Sequence, residues 1–258
     1  MGSTHRLWVL GICVVSACAL GSAFGQTDPL YLSDGDGHRL VVVQGGAIVN
    51  TFPAEPQERA FPIAVVDTIR TTGYWTGETG GEYQLDGTPT GIQYTLNEMS
   101  QNGMSDGTTD EEFNYGQAWF TGEVWQYDRD WQNGAMLFSA QGRYGGVTYD
   151  PTDDTFYLSA DRDAGIRHYG RDGSLLGQFN TVGNLDWDLA LEHSTGILWV
   201  SVYGTGTFHK YQKDGTYLGD VVIPNLDAAS FFSGEFQIPE PASILLLGVG
   251  GLALLRRR

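Results

Sequence analysis

Cysteine is nearly absent from this 258-residue chain: there are two, Cys13 and Cys18, both near the start. The long remainder can hold no disulfide framework, thiol nucleophile or cysteine-ligated metal. Positive charge is scarce as well. Lysine and arginine total 14 against 31 aspartates and glutamates, a formal net charge of −17. Arg6, Arg256, Arg257 and Arg258 are among those cations, so the stretch between the two ends is more acidic still. Such a surface excludes nucleic acid as a partner, because phosphate binding rests on clustered lysine and arginine. It keeps an exported domain soluble and recruits divalent cations. Histidine is thin too. His5 lies in the apolar start, His38 and His193 in turn-like stretches, and His168 and His209 at equivalent strand positions. No His-Glu-x-x-His or His-x-Glu-x-His spacing occurs, and no Gly-x-Ser-x-Gly elbow. Gly204-Thr205-Gly206-Thr207 is followed by no helical pattern, so it reads as a hairpin and not as a phosphate cradle. With 36 glycines and many aromatics, the composition points away from helices.

Long apolar runs occur only at the ends. Met1 to Arg6 is a short basic start, Leu7 to Leu20 is apolar, and small residues follow. That order predicts a secretory signal peptide over residues 1–25, cleaved after Gly25. Val15-Ser16-Ala17-Cys18 also fits a bacterial lipobox, which would make Cys18 a lipidated N-terminus instead. At the other end, residues 239–258 comprise Pro239-Glu240-Pro241, an uncharged run from Ala242 to Leu255, and Arg256-Arg257-Arg258. The prolines hold an extended, accessible segment in front of the run. The arginines resist translocation and keep the tail cytoplasmic. The run is shorter than the ~17–25 residues that comfortably span a bilayer, so a buried helix is the alternative to a membrane segment. These three parts in this order resemble the PEP-CTERM sorting signal of bacterial exported proteins. The resemblance implies an exosortase as processing partner and cleavage near Pro239-Glu240-Pro241. It further implies a short apolar helix in the membrane before processing, and a cell-surface setting rich in exopolysaccharide.

Between the ends, residues 26–238 repeat. At an offset of 42 residues, Phe156-Tyr157-Leu158-Ser159 falls on Leu198-Trp199-Val200-Ser201, and Asp172-Gly173 falls on Asp214-Gly215. The anchors Val43, Tyr83, Tyr127, Tyr169 and Tyr211 follow one another at 40, 44, 42 and 42 residues. A period near 40–45 is that of a four-stranded propeller blade. One unit reads as strands over Gly146–Tyr149, Thr155–Ala160, Ile166–Tyr169 and Ser174–Phe179, with Asp-Gly as the last hairpin turn. The first unit begins at its second strand, Leu30 to Ser33, and Phe231 to Phe236 can supply the missing innermost one. The expectation is an all-β propeller of five four-stranded blades closed by joining the chain ends, with six uneven blades as the alternative. Met99 to Glu112, rich in small polar residues, reads as a long surface loop on the third unit. The repeat resembles the NHL, gluconolactonase and quinoprotein-like propellers, a resemblance that implies fold and no activity.

Candidate chemistry rests on carboxylates. Asn184, Asp186 and Asp188 open the fifth innermost strand, and strand alternation sends them one way, so together they are candidates for holding Ca²⁺ at the axial channel. The alternative makes them turn and strand-start residues. Asp34-Gly35-Asp36-Gly37 and Asp161-Arg162-Asp163 lack the glutamate that completes a calcium loop and read as hairpin tips. Trp119, Trp125, Trp131, Trp187 and Trp199 are expected mainly in the core, with an exposed pair able to stack on sugar rings. No catalytic residue and no cofactor other than calcium is expected. The leading expectation is a non-enzymatic surface propeller that binds extracellular polysaccharide, protein or cations. A metal-dependent lactonase and a spacer without ligand are the alternatives.

Overall fold

In the computed structural model, residues 26, 28–35, 37–56, 59–98, 103–160, 165–183, 186–226 and 231–238 are described. Every regular element among them is a strand. The first three, β1 (Leu30–Asp34), β2 (Arg39–Gln44) and β3 (Ala47–Pro53), form one sheet with the last, β20 (Phe231–Phe236). The second sheet runs β4 (Ala60–Val65), β5 (Thr68–Gly73), β6 (Thr79–Gln84) and β7 (Pro89–Thr95). The third comprises β8 (Met104–Thr109), β9 (Phe113–Ala118), β10 (Glu123–Asp128) and β11 (Ala135–Ser139). The fourth holds β12 (Tyr144–Asp150), β13 (Thr155–Ala160), β14 (Gly165–Gly170) and β15 (Leu175–Asn180). The fifth ends the series with β16 (Asp186–Glu192), β17 (Ile197–Val202), β18 (Thr207–Tyr211) and β19 (Tyr217–Val222). Each sheet is an antiparallel blade, and the five first strands pack around one axis in the order β20, β4, β8, β12, β16.

This is the expected five-bladed ring, and it closes as the sequence predicts. β20 pairs with β1 from Leu30↔Phe236 down to Asp34↔Phe231, so the last strand completes the first blade. An open ring would leave β1 as an unpaired edge, ready to template another chain. The anchors Val43, Tyr83, Tyr127, Tyr169 and Tyr211 all lie on third strands and are buried. The core is likewise divided by blade boundary. One cluster joins Leu30, Leu32 and Val43 of the first blade to Trp199 and Phe208 of the fifth. Others join Ile63 and Val65 to Leu40 and Val42, and Tyr115 to Val147 and Phe156. Each fully buried side chain of this kind contributes roughly 1.5–3 kcal/mol.

Asp-Gly turns do more than reverse the chain. Gly173 and Gly215 sit at φ +79° and +88°, where a side chain is strained. A Cβ at Gly173 would also stand 2.6 Å from Phe138, and one at Gly215 2.6 Å from Phe179. Gly87, at φ +89°, lies under Phe52 in the same way. Each phenylalanine belongs to the outer strand of the preceding blade, so the turn is a lock between neighbours.

One expectation fails. Residues 104–109, inside the stretch read as a surface loop, form β8, an innermost strand buried along its whole length. The Met-Ser-Asp-Gly-Thr-Thr sequence looks like a loop because the axis is narrow, and small polar side chains fit there.

Candidate functional site

Two features meet at the axis: a polar interior and an aromatic mouth. The polar interior follows from edge chemistry. An innermost strand turns one edge to the axis, and its N–H groups need acceptors that no further strand supplies. Side chains of the preceding blade provide them. Ser233 Oγ accepts from Ile63 N (3.1 Å), Thr108 Oγ1 from Tyr149 N (3.1 Å) and Thr148 Oγ1 from Leu191 N (3.1 Å). Asp106 is the hub. Its Oδ1 accepts from Gly107 N (2.9 Å), Gly234 N (3.2 Å) and Ser233 Oγ (2.6 Å), and its Oδ2 from Val147 N (2.9 Å) and Leu189 N (3.4 Å). One carboxylate thus ties together four of the five blades.

Asp188 and Glu235 join Asp106 in this interior, both almost fully buried. Asp188 Oδ2 accepts from Ser201 Oγ (2.8 Å), and Glu235 Oε1 lies 3.6 Å from His193 Nε2. Burial pushes the Asp106 carboxyl up to about 8, against the pull of its donors. Burial, then the Asp106 charge, drives Asp188 and Glu235 well above the usual carboxylate range. His193 goes the other way: burial lowers it to about 4, so the imidazole is neutral.

The calcium trio of the sequence reading is only partly visible. Asn184 and the side chain of Asp186 lie outside the described residues. Asp188 sits at the axis as expected, but the alternation argument does not hold. β16 is bulged between Asp186 and Leu189, so strict period-two orientation is lost there. Among the described residues, no group of three or more His, Cys, Asp and Glu side chains converges on a cation position. The carboxylates that do gather, Asp106, Asp188 and Glu235, come from three blades, and only Asp188 was singled out by sequence. Of the other histidines, His168 stacks on Tyr157 at 4.2 Å, His209 lies 3.5 Å from Asp220, and His38 is in an exposed turn. Gly25, Cys18, Pro239, Glu240, Pro241, Arg256, Arg257 and Arg258 lie outside the described residues. Among those described, no helix is long and apolar enough to cross a membrane.

The bulge in β16 is not alone. Register shifts by one residue at the start of β4, β8, β12 and β20 as well. Bulges of this kind re-aim side chains and recur at rims beside binding sites. Here they put Phe61, Ser105 and Trp187 at the mouth of the axis, on the second, third and fifth blades. The residues that end the second strands face them: Tyr74 after β5, Trp119 after β9 and Tyr203 after β17. With Arg59 these six line a cleft of about 560 Å³, part of it open solvent. The rings stand in two groups, a pair and a trio. Phe61 and Tyr74 are 4.8 Å apart, Trp119 and Trp187 5.1 Å, and Trp187 and Tyr203 5.2 Å between centroids. Tyr203 is 39% exposed and Trp187 7% exposed. The lining is mostly apolar with a few polar groups. Sequence reasoning named Trp119 and Trp187 but left the others unassigned, because nothing in the pattern marks the bulges that bring them together.

Comparison with known proteins adds the sorting signal and the fold. Residues 237–258 match the PEP-CTERM protein-sorting motif. No curated protein matches the chain in sequence. A chain of a nidogen/laminin complex is similar over 82% of this chain and 98% of its own, at 10% identity and a TM-score of 0.56. Glutaminyl cyclase of Myxococcus xanthus is similar over 65% and 72%, at 14% identity and a TM-score of 0.49. Virginiamycin B lyase of Staphylococcus aureus is similar over 75% and 66%, at 13% identity and a TM-score of 0.47. At such identities the likeness is one of propeller fold.

Proposed function

We propose that the chain is an exported propeller, sorted to the cell surface through its C-terminal motif, that binds extracellular polysaccharide at the aromatic mouth. Residues 26–238 form the binding body, residues 1–25 the signal peptide, and residues 239–258 the segment an exosortase processes. The aromatic wall carries this reading. Sugar rings present C–H faces that pack on aromatic faces, and their hydroxyls then need nearby polar partners. Five aromatic rings line the cleft with Ser105 and Arg59 at their side, and Trp119 and Tyr203 are the rings that reach the surface. Asp106, by contrast, is engaged in holding blades together, and no reaction step is assigned to the axial carboxylates. Tyr203 is the exposed member, so Tyr203→Ala removes a stacking face with little risk to the fold. Titration of the full chain with short oligosaccharides is expected to shift the tryptophan fluorescence of Trp119 and Trp187 saturably. Tyr203→Ala should weaken the affinity about tenfold, in line with roughly 1–1.5 kcal/mol for an aromatic contact. An unchanged spectrum at saturating sugar would remove the proposal.

A further inference from the structure

Resting on that reading of the mouth, we infer that the sugar it takes is acidic: a uronate-bearing polymer whose carboxylates are met by Arg59 and Arg143. The two arginines hold equivalent places in the repeat. Arg59 directly precedes β4 and Arg143 directly precedes β12, each one residue ahead of a bulged strand start. Between those blades stand Trp119 and Phe120 of the third. The guanidinium of Arg143 lies over both rings, 5.0 Å from the Trp119 centroid and 4.8 Å from that of Phe120. A guanidinium stacked this way keeps its N–H groups in its own plane, the geometry that receives a carboxylate through two parallel bonds. Arg59 lines the cleft directly and is exposed.

Tyr74 registers both arginines. Burial pushes its phenol up to about 12, while the charges of Arg59 and Arg143 pull it down and that of Glu78 pushes it up. The Glu78 carboxylate that acts on Tyr74 is turned to the backbone. Its Oε2 accepts from Tyr74 N (3.0 Å) and Trp75 N (2.9 Å). Among the described residues, none that lines the cleft is acidic. In a chain of net charge −17, two arginines at one aromatic mouth are a local reversal of sign. A neutral sugar takes only a hydroxyl contact from such groups, whereas a carboxylate takes a charge-assisted one. The overall charge repels a polyanion at long range, but screening over ~8 Å at physiological salt leaves the local pair to decide.

The test titrates the full chain, purified in mild detergent at physiological salt, with a galacturonate tetramer and a neutral glucose tetramer, read by tryptophan fluorescence. The galacturonate tetramer is expected to bind about tenfold tighter or better, the size of one charge-assisted contact. Arg59→Ala should cut that preference several-fold, weakening the galacturonate tetramer more than the neutral one. Arg143→Ala should act in the same direction, and Arg143→Lys should restore only part of the loss. Equal affinities for the two tetramers, or a preference that survives Arg59→Ala and Arg143→Ala, would overturn the inference and leave the sugar site standing. Absence of binding by either tetramer would overturn both.

Discussion

Asp106, Asp188 and Glu235 share an interior with very little solvent, and the cost of charging them there sets a pH dependence. Each is held above its ordinary value, Asp106 at about 8, so the folded protein keeps protons that the unfolded chain releases. The stability they contribute is complete below the ordinary carboxylate range and is lost as pH rises through the folded values. His193 has the opposite sign. Held at about 4, it contributes stability above 6.5 that disappears as pH falls through 4. Between roughly pH 6.5 and 8, therefore, only the carboxyl groups act, and the melting temperature should fall by several degrees. Asp188→Asn, which removes one group needing a proton, should flatten that slope. A melting temperature that holds or rises over the same interval would contradict the assignment.

Between neighbouring blades, the lock of phenylalanine over glycine is the element-scale device that the repeat encodes. Phe52, Phe138 and Phe179 each cover an Asp-Gly turn of the next blade. Gly215→Ala meets two penalties at once: a strained positive φ and an overlap with Phe179. A loss of about 2–4 kcal/mol is expected, read as a lowered urea midpoint with unchanged slope. Gly204→Ala is the control. It has a similar φ of +70° but open space around its Cβ, and should cost only about 1 kcal/mol. Equal losses at the two positions would show that the turn acts alone.

The same scale explains what could be read in advance. Second, third and fourth strands were legible because they alternate, carry β-branched and aromatic residues, and end at Asp-Gly. β13 begins and ends at the residues that its pattern predicts, and β20 was found as the missing partner of β1. β8 was missed because Asp106 and Thr108 accept from axial N–H groups, a task that selects loop-like residues. The bulges were invisible for a related reason. An extra residue at a strand start leaves no mark in composition, yet it places Phe61, Ser105 and Trp187 at the mouth. Asp106 accordingly escaped notice, although it carries more of the axis than the Asp188 that was singled out.

At the scale of the whole molecule, closure and address work together. Joining β20 to β1 leaves Ile238 two residues past the last strand, so the PEP-CTERM segment starts where the ring is sealed. The aromatic mouth opens on the face where innermost strands begin, while β20 runs away from it toward the C-terminal segment. A body tethered through that segment would thus present the mouth away from its anchor, toward the surrounding matrix. The most direct test of that account is co-sedimentation of the full chain with the producing cell's own extracellular polysaccharide, beside Tyr203→Ala. Saturable binding that Tyr203→Ala weakens about tenfold is the predicted result. Binding that is absent, or present and indifferent to Tyr203→Ala, would contradict it.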